Sequence, residues 1–252
     1  LKFIVVGDPH IKAIENNDTG AERLISIISL INKMDIDFVV FMGDMTDKGT
    51  IEQYSLARKI LNDLKKPYYV VIGNHDIMIS DNLFEKYFGP SERIEIIGNR
   101  NATNYQLLFI GTYADRNDNG NLTNLYWSFD FDKANKTVPT IVFAHTPIRC
   151  PSSVYISCKL NENILVYGKS MGPELKKFTN LLGVYSGHVH RDSSDIIDGV
   201  RYTTVGGLVY IGIAGIYAQP SDNIGYSVVK DGILYYQPIY YKVPYTIRQS
   251  FL

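Results

Sequence analysis

At 252 residues, with 45% hydrophobic and 20% charged side chains, the chain has the make-up of a soluble globular protein with room for one large core. It contains no apolar run long enough to cross a bilayer as a helix. A formal net charge of -1 supplies no general basic field of the kind a nucleic-acid binder carries, which leaves bound metal as the source of any local positive site.

The opening stretch LKFIVV reads as a buried strand that stops at Gly7, Asp8, Pro9 and His10. Beyond it Leu24, Ile27, Ile28 and Ile31 recur at helical spacing, and Thr19 with Glu22 forms an expected capping box. DFVVFMG is a second strand. A second helix is expected over residues 51–65, with Tyr54, Ala57, Leu61 and Leu64 on its apolar face and Thr50 with Gln53 at its start. YYVVIG gives a third strand and a short helix near 81–88 follows. This β-α-β-α-β order implies a parallel sheet covered by helices. RIEII and YQLLFIGTY come next as strands, then an expected helix near 123–135, the run TIVFA, a helix near 173–180 and the run LLGVYSG. The tail, DIIDGVRYTTV and GYSVVKDGILYYQPIYY, is strand after strand with Asp-Gly turns. With no linker, repeat or low-complexity tract, the simplest organisation is one α/β domain over 1–252, built of two packed sheets and outer helices.

Each strong apolar run ends at a glycine or small residue and is followed by a metal-binding type. FIVVG leads to Asp8 and His10, FVVFMG to Asp44, YVVIG to Asn74, His75 and Asp76, TIVFA to His145, and GVYSG to His188 and His190. Ligands in open α/β sheets gather at the carboxyl ends of strands. The chain has five histidines, and all five belong to this set. A lone histidine after a strand is more often structural than a ligand, but five of five beside Asp and Asn is hard to reach by chance. Imidazole and carboxylate together favour Mn, Fe, Co, Ni or Zn over Ca or Mg.

Cys150 and Cys158 are the chain's two cysteines, spaced too widely for a CxxC motif. Thiols are the more common state for so few, and a disulfide between them stays open. The expected location is the cytoplasm. Secretion stays open too, since sequons occur at Asn17, Asn101, Asn121 and Asn135 and the sequence starts at Leu1.

The motifs DPH, GDMTD, GNHD, AHTP and GHVH, complete and in order over residues 8–190, resemble the signature of the calcineurin-like metallophosphoesterases. The text GDMTDKG, a helix and then VVIGNHD is most similar to the class III cyclic-nucleotide phosphodiesterase branch. Lys48 and Asp76 stand where the serine/threonine protein phosphatases carry arginine and glutamate. The resemblance implies a four-layer α/β/β/α sandwich, two mixed sheets flanked by helices, with two divalent metal ions at one edge. It assigns Asp8, His10 and His190 to the first metal and Asn74, His145 and His188 to the second, with Asp44 bridging both. His75 is then no ligand, and faces the substrate phosphate together with Asn74.

Such a site implies a phosphoesterase that hydrolyses a phosphodiester (cyclic nucleotides included) or a phosphomonoester by in-line attack of a metal-bridging hydroxide, with manganese the ion expected to support activity. His75 is the candidate general acid, with the carboxylate of Asp47 favoured beside it. Asp47 also reads as a cap on the turn into the second helix. For Asp76, orienting the Gly-Asn-His turn and a direct role stay open. Arg116, in an expected loop over 112–124, is a candidate to grip phosphate or sugar, and the irregular stretch 147–173 is a candidate rim; both also read as solvated loops. Tyr126 and Trp127 are expected to pack the helix near 123–135 on the sheet. The expected partner is a small phosphoester, a nucleotide among the candidates, with no membrane. A nuclease using the same metals is the alternative, disfavoured by the missing basic groove. A non-catalytic scaffold is disfavoured further, because no ligand position is lost.

Overall fold

In β1 (Lys2–Val6) the side chains alternate between two cores: Ile4 and Val6 enter one, Phe3 and Val5 the other, and all four are fully buried. A strand buried on both faces in this way belongs at the centre of a layered α/β fold. The structure, a computed structural model, describes residues 1–14, 18–80, 82–98, 103–149, 171–208, 211–213, 216–218 and 223–241.

Along the chain, α1 (Thr19–Ile31), β2 (Phe38–Phe41), α2 (Ile51–Leu61), β3 (Tyr68–Val70) and α3 (Leu83–Phe88) follow β1. Next come β4 (Arg93–Gly98), β5 (Asn104–Arg116), β6 (Leu122–Ser128), a 3-10 turn at Phe131–Lys133 and β7 (Thr140–Ala144). After the undescribed stretch come α4 (Gly172–Leu175), β8 (Leu181–Ser186), β9 (Ser193–Ile197) and β10 (Val200–Thr204). A two-stranded pair, β11 (Ile211–Ile213) with β12 (Ile216–Ala218), precedes β13 (Asn223–Lys230) and β14 (Ile233–Tyr240).

The first sheet runs β14-β13-β1-β2-β3, with β1, β2 and β3 parallel. The second runs β4-β5-β7-β8-β10-β9, with β6 added on β5 and with β5, β7, β8 and β10 parallel. Between the sheets lies a core of Phe3, Val5, Phe38, Val40, Leu107, Phe109, Phe143 and Tyr185. Ring pairs stack within each sheet, Phe3–Phe38 at 4.9 Å and Phe143–Tyr185 at 5.4 Å, and edge-on contacts of Phe3 with Phe143 at 6.0 Å and Tyr185 at 5.6 Å join the two. Helices α1 to α3 cover the other face of the first sheet, and the 3-10 turn with α4 covers that of the second, which makes the expected four-layer α/β/β/α sandwich. The parallel strands of both sheets therefore open their carboxyl ends along one edge.

Four local expectations change. Helix α1 is capped one residue earlier than expected: the Asp18 side chain accepts from the Ala21 N–H, and also from Lys12 and Ala13, so the cap ties down the loop after β1. At α2 the Thr50 cap holds, but the Gln53 side chain turns away to Lys48 and Lys12 and does not complete a box. The stretch 123–135 is not a helix. Asn117–Asn121 forms a tight turn, and β6 pairs antiparallel with β5, Tyr113 opposite Tyr126, because its aromatic and β-branched residues suit a pleated surface. The expected loop 112–124 is thus a hairpin. Tyr126 donates its hydroxyl to Asp115, and Trp127 packs on the outer core of the second sheet. Lastly, α4 has only four residues before the chain turns. Most of the candidate rim, with Cys150 and Cys158, lies outside the described residues.

Candidate metal centre

Asp8 and His10 follow β1, Asp44 follows β2, and Asn74 and His75 follow β3; His145 follows β7, and His188 and His190 follow β8. Six of these side chains, those of Asp8, His10, Asp44, His145, His188 and His190, are buried. Asn74 and His75 are half-buried and form the accessible side of the cluster.

The ligand atoms converge in two groups that share Asp44. Asp8, His10, Asp44 and His190 offer atoms all within 4.8 Å of one another, and so do Asp44, His145 and His188. In the first group the two Nε2 atoms of His10 and His190 lie 3.1 Å apart, with Asp44 Oδ2 at 3.5 Å from that of His10. In the second, His145 Nε2 lies 3.2 Å from Asp44 Oδ2 and 3.1 Å from Asn74 Oδ1. His145 Nδ1 lies 2.7 Å from the Met42 carbonyl, an acceptor, so Nδ1 carries a proton and Nε2 is the nitrogen left to ligate.

These residues fit divalent metal on three counts. His145 Nε2, a carboxylate oxygen and an amide oxygen converge on one spot that either a proton on Nε2 or a cation can join, and all three are metal-ligating atoms. Buried His188 Nε2 has no hydrogen-bond partner, an exception that asks for a ligand. Backbone also crowds the site: a Cβ on Gly73 would sit within 3 Å of Asp44 Oδ1, and one on Gly207 within 3 Å of the His190 ring. These two glycines are therefore part of the cradle.

Backbone strain marks the same positions. Among the described residues eight non-glycine residues have positive φ, and five of them are Asp8 (30°), His10 (45°), Asp44 (47°), His188 (64°) and His190 (53°). Each such residue costs on the order of 1–3 kcal/mol and persists only where surrounding structure imposes it. The strain turns the side chains at the strand ends inward to a common point.

Electrostatics sort the groups. Burial drives the Asp8 carboxyl up to about 8 against the opposing pull of His145. Burial also pushes His10 well below the usual imidazole range and His188 down to about 3, so both are neutral imidazoles, the form that can ligate. For His145 burial is outweighed by Asp44 and Asp8, which raise it to about 9. Asp44, despite its burial, is held well below the carboxylate range by His145, His75 and His10. His75 is raised, its burial offset by Asp44 and by its bond to the Asp47 carbonyl.

That bond adds a backbone contact to the expected pairing, in which the Asp47 charge also favours the protonated ring. His75 Nδ1 lies 2.8 Å from the backbone oxygen of Asp47, not from its carboxylate, whose Oδ1 is 3.8 Å from His10 Nδ1. The residue that orders the Gly-Asn-His turn is Asp76. Fully buried, it accepts from the N–H groups of Gly73 (3.0 Å), Thr46 (2.9 Å) and Met45 (3.3 Å) and from the Thr46 hydroxyl (2.9 Å). Burial and the Asp44 charge raise it to about 6 even so. Arg116, on the β5–β6 hairpin, donates to the carbonyls of Ile77, Met78 and Gly120.

A family model described as calcineurin-like phosphoesterase matches residues 1–192. The chain belongs to the calcineurin-like phosphoesterase family. Members of this family are metal-dependent hydrolases of phosphoesters, and the paired Asp/His groups are where this chain can hold its divalent ions. A probable glycerophosphodiester phosphodiesterase, GpdQ, of Arcobacter nitrofigilis is 27% identical over 90% of this chain and 81% of its own length. A probable cyclic nucleotide phosphodiesterase of Ruthia magnifica is 26% identical over 75% of this chain and 78% of its own length. These relatives agree with the class III cyclic-nucleotide phosphodiesterase branch of the family. Among solved structures, a dimetal phosphatase from Danio rerio superposes with a TM-score of 0.60 at 13% identity, over 90% of this chain and 95% of that one, a likeness of fold.

Proposed function

We propose that this calcineurin-like phosphoesterase is a dinuclear phosphodiesterase for small substrates, nucleotides among them, with manganese as its working ion. The observation that carries the reading is the position of Asp44, whose Oδ2 lies 3.5 Å from His10 Nε2 and 3.2 Å from His145 Nε2, so that one carboxylate serves two ligand groups. In this reading Asp8, His10 and His190 hold one ion, Asn74, His145 and His188 the other, and Asp44 is shared. Two divalent ions so held supply charge to clamp a phosphoryl group and to make an attacking water acidic.

The chain's own residues do the rest. Asn74 ligates through a neutral oxygen and leaves net positive charge to draw a phosphate. His75 has its Nδ1 engaged by the Asp47 carbonyl, so Nε2 is the nitrogen that meets the leaving oxygen and hands it a proton. The half-burial of Asn74 and His75 beside fully buried ligands supports placing the substrate on their side. The names of the relatives, glycerophosphodiester and cyclic nucleotide phosphodiesterases, support a diester over a monoester. We also read 1–252 as one domain, since Phe3 and Leu234, near opposite ends of the chain, share the core between the sheets.

The test is a metal titration of the purified chain with bis(4-nitrophenyl) phosphate, followed by a panel of phosphomonoesters, linear diesters, cyclic nucleotides and single-stranded DNA. Manganese-dependent turnover with small diesters preferred is expected. Failure with Mn, Fe, Co, Ni and Zn alike, or preference for the DNA, would sink the proposal.

A further inference from the structure

Arg116 ends β5, yet its guanidinium reaches beyond its own hairpin. Nη1 donates to the Met78 carbonyl at 2.8 Å and the Gly120 carbonyl at 3.0 Å, and Nη2 donates to the Ile77 carbonyl. The turn that presents Gly120 is itself braced: Asn117 Oδ1 accepts from the N–H groups of Asn119 and Asn121, both at 3.0 Å. One guanidinium therefore fastens the hairpin tip of the second sheet to the segment just after His75.

Burial divides that segment. Ile77 is buried in the outer core of the first sheet, whereas Met78 and Ile79 are 41% and 60% exposed, three and four residues beyond His75. His75 is already fixed by its own bonds to Asp44 and Asp47 and by the Asp76 clasp next to it. What Arg116 fixes is the step that bears Met78 and Ile79. Three hydrogen bonds from one charged donor on surface backbone are more restraint than a solvated turn needs.

Resting on the phosphodiesterase reading, we propose that Met78 and Ile79 form an apolar wall beside His75 on which the alcohol or base of a phosphodiester lies, and that Arg116 is the positioning residue that holds this wall. The guanidinium bonds go to backbone carbonyls, so the clamp sets where the two side chains stand without covering them. Neither side chain offers a group that grips phosphate, so the occupant is the apolar or flat part of the ester. A base or an aryl group fits; a bare phosphate gains nothing there.

The experiment uses the full, manganese-loaded chain and two substrates that release the same nitrophenolate, 4-nitrophenyl phenyl phosphate and 4-nitrophenyl methyl phosphate. The ratio of their kcat/KM values is read for wild type, the double variant Met78→Ser/Ile79→Ser, Arg116→Ala and Arg116→Lys. The ratio is expected to fall about tenfold, through KM, in the double variant and in Arg116→Ala, as loss of one apolar contact face implies. Lysine keeps a donor for the same carbonyls and restores much of it. The pH profile of kcat, which reports the acid, keeps its shape throughout. A double variant with an unchanged ratio overturns the wall, and an Arg116→Ala that loses both substrates equally overturns the clamp. Should wild type hydrolyse neither ester, it is the phosphodiesterase reading that fails.

Discussion

The backbone N–H of His188 donates to both carboxylate oxygens of Asp8, at 3.1 and 3.2 Å. Asp8 follows a strand of the first sheet and His188 a strand of the second, so this buried contact joins the two sheets at the point where the ligand groups meet. Asp8→Asn keeps the size of the side chain but removes the charge and turns one acceptor into a donor facing an N–H. Metal affinity is expected to fall about 100-fold or more, with the melting temperature lowered. Calorimetric metal titration and a thermal melt, run side by side, check both.

Glycine substitutions separate the cradle from ordinary turns. Gly207→Ala places a Cβ against the His190 ring and Gly73→Ala one against Asp44, so both variants are expected to lose metal. Gly199→Ala meets no atom within 4 Å, and only its positive φ of 81° resists a side chain. It is expected to lose about 1–2 kcal/mol of stability and to keep its metal. Metal content of the three purified variants, measured by plasma emission, decides; a metal-free Gly199→Ala or a fully loaded Gly207→Ala contradicts the account.

Metal loading should release protons. Without metal, Asp8 is raised to about 8 by burial against its neighbours, and His145 to about 9 by Asp44 and Asp8 despite burial. At pH 7 the pair holds protons that metal must displace, because carboxylate and imidazole ligate only when deprotonated. Apparent affinity is therefore expected to rise with pH from about 7 to 9 and to level off above. Titration in buffers of different ionisation enthalpy at pH 7 measures the release directly, and a binding heat independent of buffer contradicts it.

The site could be read from the sequence because its parts are strand ends. A buried parallel strand is a short apolar run, and the residues just after it must lie at the carboxyl edge, so position alone puts Asp8, Asp44, Asn74, His145 and His188 there. The structure brings those side chains together. Side-chain partners were harder to read. Asp47 lies near His75 and its charge favours the protonated ring as expected, but its hydrogen bond comes from an oxygen that every residue possesses, and no residue type announces a backbone contact. Asp76 shows as a carboxylate in the sequence, whereas its four donors come from separate segments that only folding assembles. The error at 123–135 has another cause: the apolar residues of LTNLYWS fit either period, and pairing with β5 settled it in favour of strand.

The Asp47 carbonyl leads to a last prediction that separates backbone from carboxylate. If His75 is the acid, His75→Ala keeps the ligands in place and loses about 100-fold or more in kcat on alkyl diesters, where the leaving oxygen needs a proton, and less on nitrophenyl diesters. Asp47→Asn retains the carbonyl 2.8 Å from His75 Nδ1 and removes only the carboxylate charge, 3.8 Å from His10 Nδ1. Its loss is expected to stay within about tenfold, since the carboxylate charge is a lesser support for protonated His75 than Asp44 and the retained Asp47 carbonyl. Leaving-group dependence of kcat across a series of diesters, compared between the two variants, checks this. An Asp47→Asn that mirrors the alkyl-selective loss of His75→Ala would return the role to the carboxylate. Equal rates on both classes in His75→Ala would remove His75 as the acid.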